Sequence, residues 1–188
     1  RYSRQKEAIT IMNKSKGFSL IELLAAILIL SLVSGGLATG AMLSNKQYKS
    51  SIRQSEASEL YNTISSLLNY ELKLTNEVKL DGDKLVAFKS ISYQIDESRL
   101  CDINVLYESG YPAGNNYGRI AFGNNEKKNY LLGNAAYTNG LGAKLNVTYN
   151  DTNNLFTVYL DIGYDTKSVI HQTFNVRALN RVRVVNVE

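Results

Sequence analysis

From Phe18 to Leu43 the chain reads FSLIELLAAILILSLVSGGLATGAML, 26 residues with a single charge, Glu22. At about 1.5 Å rise per residue such a helix spans about 39 Å. A bilayer's hydrocarbon core is about 30 Å thick. A helix in a small soluble domain normally carries a polar stripe, and this run barely has one. The pattern predicts a membrane-crossing helix over residues 18–43. Lys14 and Lys16 flank its N-terminal side, which predicts a cytoplasmic N-terminus.

The helical pattern continues. The chain's one proline is Pro112, so nothing interrupts a helix before it. Ile52, Leu60, Ile64, Leu67, Leu68 and Leu74 recur on one helical face, and Lys49, Gln54, Ser58, Asn62, Ser65 and Asn69 occupy the other. An amphipathic continuation over 44–75 is predicted, giving one helix from Phe18 to Leu74 about 85 Å long. Gly35, Gly36 and Gly40 are its weak points, suited to local melting or close helix packing.

After residue 75 the period changes from helical to alternating. Asp81-Gly82 separates Val78–Leu80 from Leu85–Phe88, a hairpin signal. Ile91–Ile95 and Ile103–Tyr107 read as short strands, with Arg119–Phe122 and Tyr130–Leu132 set among Gly- and Asn-rich loops over 109–143. The strongest alternation covers Leu145–Tyr149, Phe156–Ile162 and Ile170–Val176, with turns at Asn150–Asn154 and Gly163–Lys167. Arg181–Val187 is the predicted last strand. An antiparallel sheet with one buried face needs a cover, and the 52–74 helix supplies it. The predicted fold is α+β. A long N-terminal helix, half transmembrane and half amphipathic, packs on a C-terminal antiparallel head over 76–188.

Composition narrows the chemistry. One cysteine, Cys101, excludes an intrachain disulfide and a multi-Cys zinc site, and one histidine, His171, excludes a His-rich metal centre. The net charge of +4 resides in residues 1–17, which hold Arg1, Arg4, Lys6, Lys14 and Lys16 against Glu7. The rest of the chain is balanced, so no broad nucleic-acid surface is predicted. Arg177, Arg181 and Arg183 are the late basic cluster and read as a solvated strand face.

A carboxylate inside an apolar run is costly and usually functional; the bland reading of Glu22 is a charge near the helix end that reaches the headgroups. Its context is Lys16-Gly17-Phe18-Ser19-Leu20-Ile21-Glu22-Leu23. This resembles the processing site of type IV prepilins and type II secretion pseudopilins. The resemblance covers residues 12–43 well and extends loosely along the helix. It implies a basic leader over 1–17, cleaved after Gly17 by a prepilin peptidase that then methylates Phe18, and an assembly role for Glu22. It also implies other pilin or pseudopilin subunits and an inner-membrane assembly platform as partners, with membrane lipid around the 18–43 segment before assembly. The implied protein is a structural subunit of a pilus or pseudopilus, not an enzyme, and no cofactor is implied. Met12 followed by Asn-Lys-Ser-Lys-Gly makes a compact leader and predicts translation from Met12. Many members of this group carry a helix-bending proline, which is missing here; Gly35-Gly36 is the candidate substitute.

The competing reading is a secreted or membrane-anchored binding module with an ordinary signal peptide. Lys14 and Lys16 would be its basic region, Leu23–Leu32 its apolar core and Ala38-Thr39-Gly40 its cleavage site. Glu22 and the length of the run oppose it. Elsewhere, His171 falls on the polar side of its strand beside no nucleophile motif, and Cys101 reads as a small buried hydrophobe. Asp81/Asp83 and Asp161/Asp165 are acidic pairs to weigh for calcium, yet neither sits in an EF-hand loop. Gly114–Gly118 and Gly140–Gly142 lack phosphate-binding spacing. Asn146-Val-Thr148 and Asn150-Asp-Thr152 match a glycosylation sequon. Tyrosines are frequent, 13 against 5 phenylalanines, and Tyr107, Tyr111, Tyr117, Tyr130 and Tyr137 crowd the loop-rich stretch, where contact with a partner competes with ordinary packing.

Overall fold

The computed structural model describes residues 19–90, 101–106, 117–123 and 128–186. The chain divides into two compact units, Arg1–Lys49 and Ser50–Glu188. Helix α1 (Leu20–Lys73) runs through all three glycines of the apolar stretch without interruption.

In the second unit α1 buries Ala57, Leu60, Tyr61, Ile64, Leu68 and Leu72, spaced at three and four residues along one face. This stripe is rotated from the predicted one. Ile52, Leu67 and Leu74 lie to one side and are half-buried, while Ala57, Ile64 and Leu68 hold the centre and Tyr61 and Leu72 extend the stripe on the other side. Ala57 is fully covered. The helix ends where β-branched Thr75 begins a strand. Its last carbonyls are not left bare: Leu179 N–H donates to the Lys73 carbonyl at 2.9 Å and the Thr75 hydroxyl to that of Glu71 at 3.1 Å.

The described strands are β1 (Thr75–Asp81), β2 (Lys84–Ser90), β3 (Cys101–Leu106), β4 (Arg119–Gly123), β5 (Lys128–Tyr130), β6 (Gly142–Asn150), β7 (Leu155–Tyr164), β8 (Lys167–Arg177) and β9 (Arg183–Asn186). Strand β2 is the branch point of the sheet. One edge pairs with β1 in a hairpin whose turn uses Gly82 at φ 60°. The other edge is shared, with β6 bridging at Lys84 and β3 at Ala87 and Phe88. One arm then continues β3-β4-β5 and the other β6-β7-β8. Gly118 and Ala143 exchange backbone hydrogen bonds of 3.0 and 2.7 Å and tie the arms together.

The fold is thus α+β, as the periodicities predict, with an antiparallel-dominated sheet. The departures are local. Strand β9 runs parallel to β1 rather than antiparallel, because the segment after β8 crosses to the open edge of β1. Asn154 holds that crossover, donating its side-chain amide to the carbonyls of Ala178 and Asn180 at 3.0 and 2.9 Å. The strand predicted at Tyr130–Leu132 forms at Lys128–Tyr130, since Leu131 and Leu132 turn inward to pack on the core. Residues 91–95 and Tyr107 lie outside the described residues. Phe88 meets Phe122 edge-to-face at 5.3 Å, which joins β2 to β4 through the core.

Candidate functional site

The N-terminus of α1 is built by two residues. Ser19 N–H donates to the Glu22 carboxylate at 2.9 Å, and Glu22 N–H approaches the Ser19 hydroxyl at 3.3 Å. This is a reciprocal capping box: it satisfies donors that a helix start leaves open. The negative carboxylate also sits at the positive end of the helix dipole. Ser19 is a partner that the assembly reading of Glu22 leaves out, although the Ser-x-x-Glu spacing before an apolar run is itself a helix-start signal. Glu22 is exposed in the first turn. Gly17 and Phe18, the expected cleavage pair, lie outside the described residues.

Beyond the cap, no residue of the apolar segment is buried. Leu20, Ile21, Ile29, Leu30 and Val33, which point around the helix, each expose more than half of their surface, so this stretch is apolar on all sides. Its polar side chains turn back on the helix itself. The hydroxyls of Ser31, Ser34 and Thr39 donate to the carbonyls of Leu28, Leu30 and Gly35 at 2.8, 2.7 and 2.8 Å. Hydroxyls satisfied in this way bring no open donor into hydrocarbon. By length and composition this helix can cross a membrane.

The head places the other candidates. His171 is exposed on β8, with Nδ1 3.3 Å from the Ser168 hydroxyl. Cys101 opens β3; its side chain lies outside the described part of the structure. Asp81 and Asp83 flank the β1–β2 turn in solvent. Asp161 and Asp165 are not an equivalent pair: Asp165 is exposed in a turn, while Asp161 is only 5% exposed. The Asp161 carboxylate accepts the Tyr117 hydroxyl at 3.0 Å and the Ser168 hydroxyl at 2.6 Å. Hydroxyl donors occupy both of its oxygens, which makes it a structural acceptor. Among the described residues no three His, Cys, Asp or Glu side chains gather as a metal site.

Two of the loop tyrosines are core residues. Tyr117 is 1% exposed and Tyr137 8%, which removes both from the contact surface weighed above. Tyr130 is exposed, and Tyr107 and Tyr111 lie outside the described residues. Tyr117 lies over the cross-strand pair Gly142–Gly163, whose missing side chains make room for it, with Lys144 Nζ 4.2 Å from its ring centroid. Burial first, then the hydrogen bond and charge of Asp161, push the Tyr117 phenol up to about 12. An unfolded tyrosine ionises near pH 10. Stability should therefore hold below about pH 10 and fall as pH rises toward about 12, since only the unfolded state sheds this proton easily. Burial raises Tyr61 and Tyr149 in the same direction. Tyr117→Phe should lower stability by about 1–3 kcal/mol at neutral pH, because buried Asp161 loses a donor. The deficit should shrink above pH 10 in denaturant titrations.

Residues 12–38 match the family model described as the prokaryotic N-terminal methylation motif. No curated protein and no solved structure matches the chain. The match supports the resemblance to type IV pilin-like proteins and pseudopilins, a structural family rather than an enzymatic one. The matched segment is 27 of the 188 residues and supports a prepilin-type N-terminus.

Proposed function

We propose that this chain is a prepilin-type subunit of a pilus or pseudopilus, held in the membrane by residues 18–43 until it is processed and assembled. The observation that carries the reading is the coincidence of the methylation motif with an unburied apolar stretch of α1 that bears one carboxylate in its first turn. Lys14 and Lys16 favour a cytoplasmic N-terminus, so the β-rich head lies outside. Cleavage after Gly17 frees an α-ammonium on Phe18, and methylation leaves it cationic. Glu22 of an axially displaced neighbour is its countercharge. Both groups are poorly solvated in an apolar bundle, so pairing offsets part of a large desolvation cost and favours one axial register. A filament shape follows, because a head-to-tail contact that does not close repeats indefinitely.

The direct test is to shear surface filaments from cells expressing the chain and probe the sheared fraction with an antibody against the head. The chain is expected there. Its confinement to the membrane fraction, in cells that shed other filament subunits, would contradict the proposal.

A further inference from the structure

The apolar stretch of α1 ends at Leu43, and the following residues change character within one turn. Lys46, Tyr48 and Lys49 are all exposed, Tyr48 by 66%. No acidic residue occurs between Glu22 and Glu56, so no carboxylate in this stretch neutralises the two ammonium groups. Lys46 and Lys49 are three apart on a continuous helix and share a face.

Depth places these groups at a membrane surface. Leu20 to Leu43 rises about 35 Å, or about 32 Å along the membrane normal at a typical tilt of about 20°. That matches a hydrocarbon core of about 30 Å. Lys46 then lies about 4 Å beyond Leu43, inside a headgroup layer about 5–8 Å deep, and Lys49 about 8.5 Å beyond it, at the outer edge of that layer. Lysine stems run along apolar surface while their ammonium groups reach outward. Tyr48 supplies the amphipathic ring that favours this layer.

We propose that Lys46 and Lys49, with Tyr48, form a collar that binds the phosphates of anionic phospholipid headgroups and sets the depth of the unassembled subunit. The proposal rests on the membrane-anchored reading given above. The occupant is a lipid headgroup rather than a protein. The ammonium pair is a point-charge site adjoining an unbroken apolar surface, which the acyl chains of the same lipid cover. Withdrawal of a subunit from the bilayer must break these contacts, so the collar opposes premature release.

The test uses the full chain in phosphatidylcholine vesicles with a trace of spin-labelled phosphatidylglycerol or spin-labelled phosphatidylcholine. Electron paramagnetic resonance reads the lipid that the protein restricts. The wild type is expected to restrict both and to prefer phosphatidylglycerol, with the preference falling as salt rises. Lys46→Gln/Lys49→Gln should restrict as much phosphatidylcholine but lose preference by about fivefold for each lysine removed. An unchanged preference in the double variant would overturn the collar while leaving the membrane reading intact. Competition by inorganic phosphate at constant ionic strength would overturn the assignment to lipid. A chain that restricts no lipid of either kind would overturn the membrane reading itself, and the collar with it.

Discussion

Glu22→Gln should leave the chain in the membrane, leave its cleavage largely intact and remove it from filaments. The substitution is well suited to isolate charge. A glutamine at this helix position still accepts the Ser19 N–H through its amide oxygen, so the capping box survives. Insertion depends on the apolar run, and the peptidase is expected to read the leader and Gly17. What disappears is the countercharge for a neighbour's Phe18 ammonium. Removing one partner of a buried ion pair costs about 3–5 kcal/mol. The mobile terminus and the bilayer edge reduce that figure, but a filament repeats the loss wherever the subunit occurs. The sheared fraction, probed for this chain, gives the same reading for an abundant subunit and a rare one. Equal incorporation of variant and wild type would remove Glu22 from the proposed assembly contact.

The second large effect lies in the head. A fragment beginning near residue 46 should be soluble and monomeric and should unfold in one cooperative transition, since it keeps the buried stripe of α1 and the sheet. Within it, Gly163→Ala should cost about 3–5 kcal/mol. A Cβ at Gly163 would run into the Lys167 carbonyl and the Tyr117 ring, and the carbonyl belongs to the paired backbone of the β7–β8 hairpin. Moving Tyr117 instead withdraws its hydroxyl from buried Asp161. Gly82→Ala, at a turn glycine with open space around it, strains only the backbone and should cost about 1 kcal/mol. Urea midpoints of the three fragments test the ranking. Equal loss at the two glycines would contradict the account of the Tyr117 slot.

What the sequence made legible follows from how each feature is encoded. The apolar helix and strands β6, β7 and β8 are long and periodic, and their faces can be read residue by residue. The buried stripe of α1 is only partly legible, because Ala57 and Tyr61 carry little weight in a hydrophobicity pattern yet belong to it. The direction of β9 depends on where the chain crosses after β8, and Asn154 fixes that crossing from 24 residues before Ala178. Tyr117 looked like one of many loop tyrosines. Its burial needs Gly142, Gly163, Asp161 and Ser168 together, and no local pattern joins residues so far apart. The capping box is the opposite case: Ser19 and Glu22 are local, and the spacing was there to be read.

If the chain is a prepilin, its mature N-terminus is set by cleavage between Gly17 and Phe18. The chain should be recovered from its native membrane or filaments and its N-terminal peptide weighed by mass spectrometry. The expected peptide begins at Phe18 and carries one added methyl group on its amine. A mature chain beginning at Ala41, as an ordinary signal peptidase would leave it, or one that retains Gly17 and the residues before it, would contradict the prepilin reading.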